Sequence, residues 1–307
     1  MHPSFSVVIT CYNYCQFVAE AIDSALSQIP APLEVIVVDD GSCDGSAEYI
    51  QSLYAQRPAV RLLTTVNQGQ LAAFASGGAM AKGDVICFLD ADDHWQPGYL
   101  DGLAAIYRKQ TSVDFVFTQC RYFGGSTGTW HQAERDRDHG LSALDAYFRA
   151  LWIGSPTSGL SIRRKLCQRF FVFAAPLHED WRVSADEYLV RAAMMLGAHQ
   201  YYWAAGMVNY RIHSDNHWFG RQKQFPEMLQ YQLKLQRLVE HLGREAGMTA
   251  RSRQYALWEF KTKPQPTAVE FKAYAGYALK APIGLIHRLR MLLAISWHYL
   301  RRGTEHV

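Results

Sequence analysis

VICFLDADDHW, residues 85–95, decides how the rest of the chain is read. Five apolar residues run into three acids, Asp90, Asp92 and Asp93. An apolar run of this kind reads as a strand buried on both faces. Carboxylates crowded this closely repel one another and resist burial, so a buried strand that ends in them points to a positive partner there. The plainer reading is a solvated turn with an Asp cap for the helix after Pro97. It accounts for one aspartate better than for three.

Outward from this stretch the chain alternates. FSVVIT (5–10), PLEVIVVDD (32–40), VRLLTT (60–65), KGDVICFLD (82–90) and VDFVFTQC (113–120) read as strands. QFVAEAIDSALSQI (16–29) carries Phe17, Ala21, Ile22, Ala25 and Ile29 at helical spacing. Asp44 is a cap for a helix through Gln56, a small-residue helix covers 70–81, and Pro97 suits the first turn of a helix through Lys109. This alternation predicts an α/β fold with a mostly parallel sheet and helices on both faces. Ligands bind such sheets beyond the carboxyl ends of the strands. Asp39, Asp40, Asp90, Asp92 and Asp93 all fall on that edge. Hard oxygen donors so placed suit magnesium or manganese, which is typically held by one or two carboxylates together with substrate phosphates.

Farther on, the polar, Gly-rich residues 121–140 predict a loop or lid, and 141–152 returns to helical spacing. SADEYLVRAAMMLG (184–197) predicts a helix capped by Gly197, and MVNYRIH (207–213) a late strand. Beyond residue 220 the pattern is helical and then basic.

Composition narrows the function. The chain has 307 residues, 49% hydrophobic and 19% charged, with a net charge of +3. That is an ordinary soluble balance, too weakly basic to argue for nucleic acid. Cys11, Cys15, Cys43, Cys87, Cys120 and Cys167 form no CxxC pair and no zinc-spaced cluster, which fits a reducing, cytoplasmic setting. MHPSFSVVIT does not read as a signal peptide, and no stretch has the apolar length of a membrane span. The first strand is followed by CYNYCQ rather than GxGxxG, and neither GxxxxGK[ST] nor GxSxG occurs. These absences argue against hydride transfer, nucleoside triphosphate hydrolysis and lipase-like acyl chemistry.

SVVITCYNY, EVIVVDDGSCDGS, NQGQLAAFASGGAMAKGDVICFLDADD and VNYRIHSDN stand in the order seen in family 2 glycosyltransferases, which the chain resembles. The resemblance is specific over about the first 125 residues, patchier to 218, and does not cover the tail. It implies a GT-A nucleotide-diphospho-sugar transferase fold. Residues 1–218 would form the transferase domain, with 1–125 binding the nucleotide sugar and 126–218 the acceptor. A helical extension would cover 219–307. The resemblance also implies a nucleotide-sugar pocket at Thr10, Tyr12, Asn13, Asp39, Asn67, Gly69, Asp90 and Ala91. Asp92 would be the direct ligand of a divalent manganese or magnesium ion, with Asp90 and His213 completing the site. Asp93 would hold the loop, and Arg211 would be a structural ion-pair partner. Two acids compete as general base. Asp186 has Arg191 and Gly197 placed after it as the family has them, and Asp180 lies in HEDW. Asp186 is the favoured one, although an acid there also suits the first turn of its helix.

The implied activity is inverting, metal-dependent transfer of one sugar from a nucleotide-diphosphate sugar to a saccharide or lipid-linked glycan, in surface polysaccharide synthesis. No Q-x-x-R-W motif occurs, so the pattern is that of a non-processive enzyme. A sugar-nucleotide-binding protein without transfer is one alternative. A nucleotidyltransferase is another, but it would want a basic, Gly-rich loop where CYNY stands. In the tail, PIGLIHRLRMLLAISWHYLRRG (282–303) puts Ile286, Leu289, Leu293, Trp297 and Leu300 on one helical face beside several arginines. It reads either as a helix packing on the domain or on a second subunit, or as an interfacial helix on the inner face of a membrane.

Overall fold

A computed structural model describes residues 3–214, 216 and 224–303. Asp215 of the VNYRIHSDN motif and the expected boundary between 218 and 219 lie outside the described residues. The first half alternates as expected: β1 (Phe5–Cys11), α1 (Val18–Leu26), β2 (Glu34–Asp39), α2 (Ser46–Tyr54), β3 (Val60–Thr64), α3 (Gln70–Met80) and β4 (Val85–Asp90). A two-residue β5 (His94–Trp95), α4 (Tyr99–Lys109) and β6 (Phe115–Gly124) follow. Next come β7 (Gly128–Trp130), β8 (Arg137–Gly140), α5 (Ala143–Arg149), β9 (Leu160–Arg163), α6 (Arg164–Phe171), α7 (Asp186–Met195) and β10 (Gln200–Ile212). The chain ends in α8 (Phe225–Glu245), α9 (Ala256–Lys261), α10 (Ala268–Leu279) and α11 (Leu285–Arg302).

One sheet runs in the order β3-β2-β1-β4-β9-β6-β10-β5, with β7 on β6 and β8 on β10. From β3 to β4 it is parallel, and β6 and β10 are parallel to each other. β9 enters antiparallel between β4 and β6, so the second half is mixed.

The central strands are apolar throughout because both faces are covered. Val8, Ile36, Val38, Ile86 and Phe88 point into one core with α3, α6, α7 and α8. Their alternates Val7, Ile9, Val35, Val37, Cys87 and Leu89 point into the other with α1, α2 and α4. α3 lies close on the sheet because it is built of small residues. A Cβ at Gly77 would stand 2.4 Å from Val8 Cγ1.

Several expectations need correction. Residues 121–140 are not simply a loop. β6 continues to Gly124, and β7 and β8 add to the sheet; β7 is mostly exposed, whereas β8 is half-buried to buried. The late strand begins at Gln200 rather than 207. A break in register between Trp203 and Val208 divides its apolar pattern and hides its first part. Pro97 lies ahead of α4 rather than in its first turn, because Gly98 takes a left-handed conformation and the helix starts at Tyr99. Asp44 lies two residues ahead of α2 and accepts from the Ser46 amide at 3.0 Å.

The tail forms a third core. Phe260, Tyr274, Tyr277, Ala278, Met291 and Ile295 pack around Leu144 of α5. α11 thus buries one face on the domain, as one sequence reading held, and leaves the opposite face exposed. Among the described residues no helix is long and apolar enough to cross a membrane.

Candidate active site

The parallel register brings three strand ends together. Cys11 lies opposite Asp39, and Thr10 opposite Asp90. Beyond these ends opens a cavity of about 530 Å³, within the range of small-molecule sites. Thr10, Tyr12, Asn67 and Gly69 line it, and so do Asp90, Ala91, Asp92 and Asp186.

Asn13, Asp39, Asp180 and His213 stand outside that lining. Asn13 stitches two loops together: its amide donates to Ser42 Oγ at 2.9 Å and its side-chain oxygen accepts from the Cys43 amide at 2.8 Å. Asp39 accepts from the Ser42 amide at 2.9 Å, while its Oδ2 is buried with no hydrogen-bond partner among the described residues. It is the neighbouring Asp40 that lines the cavity, accepting from the amides of Gln68 (2.9 Å) and Gly69 (2.7 Å). Asp180 is held by Arg237 through two bonds of 2.7 and 3.0 Å.

Gly69 is required by its surroundings. Its φ is +92°, and a Cβ there would stand 2.5 Å from Arg182 Cα. No other residue fits that backbone against that neighbour.

The three acids of the opening stretch take different environments. Asp93 is buried and accepts from Ser158 Oγ at 2.6 Å and from the Arg211 amide at 2.8 Å, so it ties the loop to β10. Asp90 accepts from Gln70 Nε2 at 2.7 Å. Asp92 Oδ2 meets His213 Nε2 at 2.9 Å. The His213 ring packs against Tyr14 and Phe17, with centroids 5.9 and 5.5 Å away. Arg211 forms an ion pair with Glu20 and sits between the rings of Phe17 and Phe123, which fits the structural part expected of it.

Burial, and then the charges of Asp92 and Asp186, push the Asp90 carboxyl well above its usual range. Burial, and then the charges of Asp92 and Asp90, do the same to Asp93. At Asp186, at the start of α7, burial and then Glu187 raise the carboxyl to about 7. The cavity therefore brings together Asp90 and Asp186, whose ionised forms are disfavoured by burial and by neighbouring acids. Carboxylate oxygens of this kind are the donors that hard divalent cations take. Among the described residues no three of His, Cys, Asp and Glu are grouped so as to hold a metal ion. The expected trio of Asp90, Asp92 and His213 is thus not a closed three-ligand site. Asp90 is engaged by Gln70, and only Asp92 and His213 touch. An ion here would draw most of its ligands from substrate and water, as magnesium commonly does.

Sequence reasoning assigned no individual part to several residues of the site, Gln70, Arg182 and Tyr14 among them. Gln70 bonds Asp90 through its nitrogen and accepts from the Ala185 amide at 2.9 Å through its oxygen, joining the acidic loop to the start of α7. Arg182 lines the cavity and bonds the Asn67 side chain. Tyr14 lines it and packs on His213. Gln70 stands in the quoted NQGQ loop, but nothing in its spacing reveals a bridge. Arg182 carries no local signal at all.

The sequence profile of glycosyl transferase family 2 matches residues 6–171. An uncharacterised glycosyltransferase of Nostoc sp. is 33% identical over 216 residues, covering 69% of this chain and 65% of that protein. Chondroitin synthase of Pasteurella multocida is 34% identical over 119 residues, 39% of this chain but 12% of that enzyme. The chain therefore spans less than two thirds of either relative. In fold it is similar to S. aureus TarS 1–349, solved in complex with UDP-GlcNAc. The TM-score is 0.56 at 15% identity, covering 99% of this chain and 74% of that one. A profile that takes in β1, the acidic loop after β4 and the chain on to α6 covers more than half of the sequence, and the chain belongs to glycosyl transferase family 2.

Proposed function

We propose that the chain is an inverting glycosyltransferase that moves one sugar per encounter from a nucleotide-diphosphate sugar to a hydroxyl of a saccharide or lipid-linked glycan, in polysaccharide synthesis. The observation that carries this reading is the pairing, in one cavity, of the Asp90–Asp92 loop with Asp186, a carboxyl raised to about 7. A general base works best with a pKa near the operating pH.

The nucleoside would lie across the ends of β1 and β2, against Thr10, Tyr12 and Asn13. Asp39 Oδ2, buried without a partner among the described residues, suits a base N–H. Asn67, Gly69, Asp90 and Ala91 would border the ribose and diphosphate, with Arg182 available to the phosphates. Asp92, with Asp90 and His213, would hold a manganese or magnesium ion. When bound with the diphosphate, such an ion neutralises charge on the departing phosphate. Asp186 takes the proton of the acceptor hydroxyl as its oxygen bonds the anomeric carbon. The bond to the phosphate oxygen breaks, and its electron pair leaves with the nucleotide. One displacement inverts the anomeric centre. Asp180, bound by Arg237, is the weaker candidate for base. The division at 125 and 218 and a cytoplasmic location belong to the same reading.

The test is a thermal-shift panel of nucleotide-diphosphate sugars with and without manganese. A true donor raises the Tm by mass action, and more so with the metal. Absence of a shift with every donor overturns the reading. A shift indifferent to manganese and to EDTA overturns the metal assignment alone.

A further inference from the structure

α11 is amphipathic in an unusual way: both of its faces are apolar. Met291 and Ile295 face the domain and are buried there. On the opposite side Ile286, Leu289, Leu293 and Trp297 are 65, 49, 70 and 64% exposed. They recur at helical spacing, so they form one stripe rather than scattered surface residues. Among the described residues nothing covers that stripe.

Along the segment that carries it the charge is all of one sign. No Asp or Glu occurs between Glu270 and Glu305, whereas Lys272, Lys280, Arg288, Arg290, Arg301 and Arg302 all fall in that interval. At 100° per residue, Arg290 and Arg301 project about 60–80° from Leu293, on the same margin of the stripe. Both are exposed, and the Arg301 guanidinium lies over the Trp297 ring, 5.8 Å from its centroid. Long cationic side chains bordering an apolar stripe can reach phosphates while the stripe enters the acyl boundary. Trp is the residue that favours that boundary.

We infer that the exposed face of α11 docks the enzyme on an anionic phospholipid bilayer, the helix lying in the plane of the surface. Charge decides between this occupant and a second copy of the chain. A two-fold contact through α11 would set Arg290 and Arg301 against their own equivalents, with no acid in 271–304 to pair with them. An anionic surface meets the same arginines with opposite charge. Burying the Ile286–Trp297 stripe then adds apolar gain to the attraction. The inference is independent of donor, metal and base, because docking needs no catalysis.

Flotation of the full chain with vesicles tests it, comparing phosphatidylglycerol mixed into phosphatidylcholine with phosphatidylcholine alone. The chain is expected to float with the anionic vesicles only, and to be released by high salt. Each of Arg290→Gln and Arg301→Gln should lower partitioning about fivefold, as one lost surface cation implies. Leu293→Glu should abolish flotation. These positions are exposed, so unchanged circular dichroism and Tm confirm that each variant is folded. Equal recovery in the unbound fraction with both vesicle types overturns the inference. So does a lipid-free dimer in analytical ultracentrifugation that Leu293→Glu dissolves, which would assign the face to a second copy.

Discussion

As the proposed general base, Asp186 combines two demands. A carboxyl that is to take a proton near neutrality must be partly dehydrated, and dehydration is what raises it to about 7. Turnover should therefore rise about tenfold per pH unit below 7 and level off above it, since only the ionised form accepts the proton. Asp186→Asn should lower kcat about 10²–10⁴-fold while leaving donor affinity in place, whereas Asp180→Asn should leave kcat nearly unchanged. The stability sign is the opposite of the usual carboxylate case. The folded state holds a proton that the unfolded chain has released, so Asp186 weakens the fold progressively as pH rises through 7. The Asn variant should melt higher than the wild type at pH 8, by about 2 °C or more, and alike at pH 4. A flat pH–rate profile, or equal melting at pH 8, would remove this account of Asp186.

At the scale of elements, the site depends on how α3 and α7 are tied to the sheet edge. Gln70 at the start of α3 holds Asp90 with one end of its amide and the amide of Ala185, just ahead of α7, with the other. Its backbone amide donates to Arg182 O at 2.8 Å, so the same residue also fixes the segment carrying Arg182. Gln70→Leu leaves a buried carboxylate and a backbone amide short of partners, a loss of about 1–3 kcal/mol. Such a loss corresponds to a fall in kcat/KM of about 10–100-fold, shared between donor binding and turnover because both acids move. Steady-state kinetics with varied donor would detect it, and a variant within twofold of wild type would show that the bridge does not matter. β10 does similar work from the other side. Its end delivers the Arg211 amide to Asp93 and is followed directly by His213, which meets Asp92.

For the molecule as a whole, the C-terminal helices are joined to the sheet domain by a buried polar network as well as by apolar contact. Lys263 Nζ, almost fully buried, donates to His139 O at 2.9 Å and to Ser142 Oγ at 3.0 Å, and pairs with Glu270 at 3.4 Å. Arg137 pairs with the same glutamate at 2.8 Å. Glu259 accepts from the Leu144 amide at 3.0 Å. Removing one partner from such a network strands the others, so Lys263→Ala should cost about 3–5 kcal/mol. The loss would appear as a lower denaturant midpoint, and a change below about 1 kcal/mol would mean that the apolar packing of Phe260 and Tyr274 carries the joint alone. That joint is also what presents the outer face of α11.

The sequence by itself determined the covered parallel half-sheet, because strands apolar on both faces admit no other environment. It also determined the acidic edge, because parallel strands bring their carboxyl ends to one side. The family was legible in the order of four motifs. What only the tertiary structure decided is how the individual acids differ. Asp93 is a loop anchor through Ser158 and Arg211, Asp90 is clamped by Gln70, and Asp92 meets His213, each contact joining residues far apart in the chain. The antiparallel entry of β9 and the strands within 121–140 were equally hidden. β9 has four residues and β7 and β8 three or four, too few to carry an apolar period, and their pairing is set by neighbours the local sequence does not name. Local pattern follows from burial, which composition records. The part a buried acid plays follows from its partners, which only the folded chain brings to it.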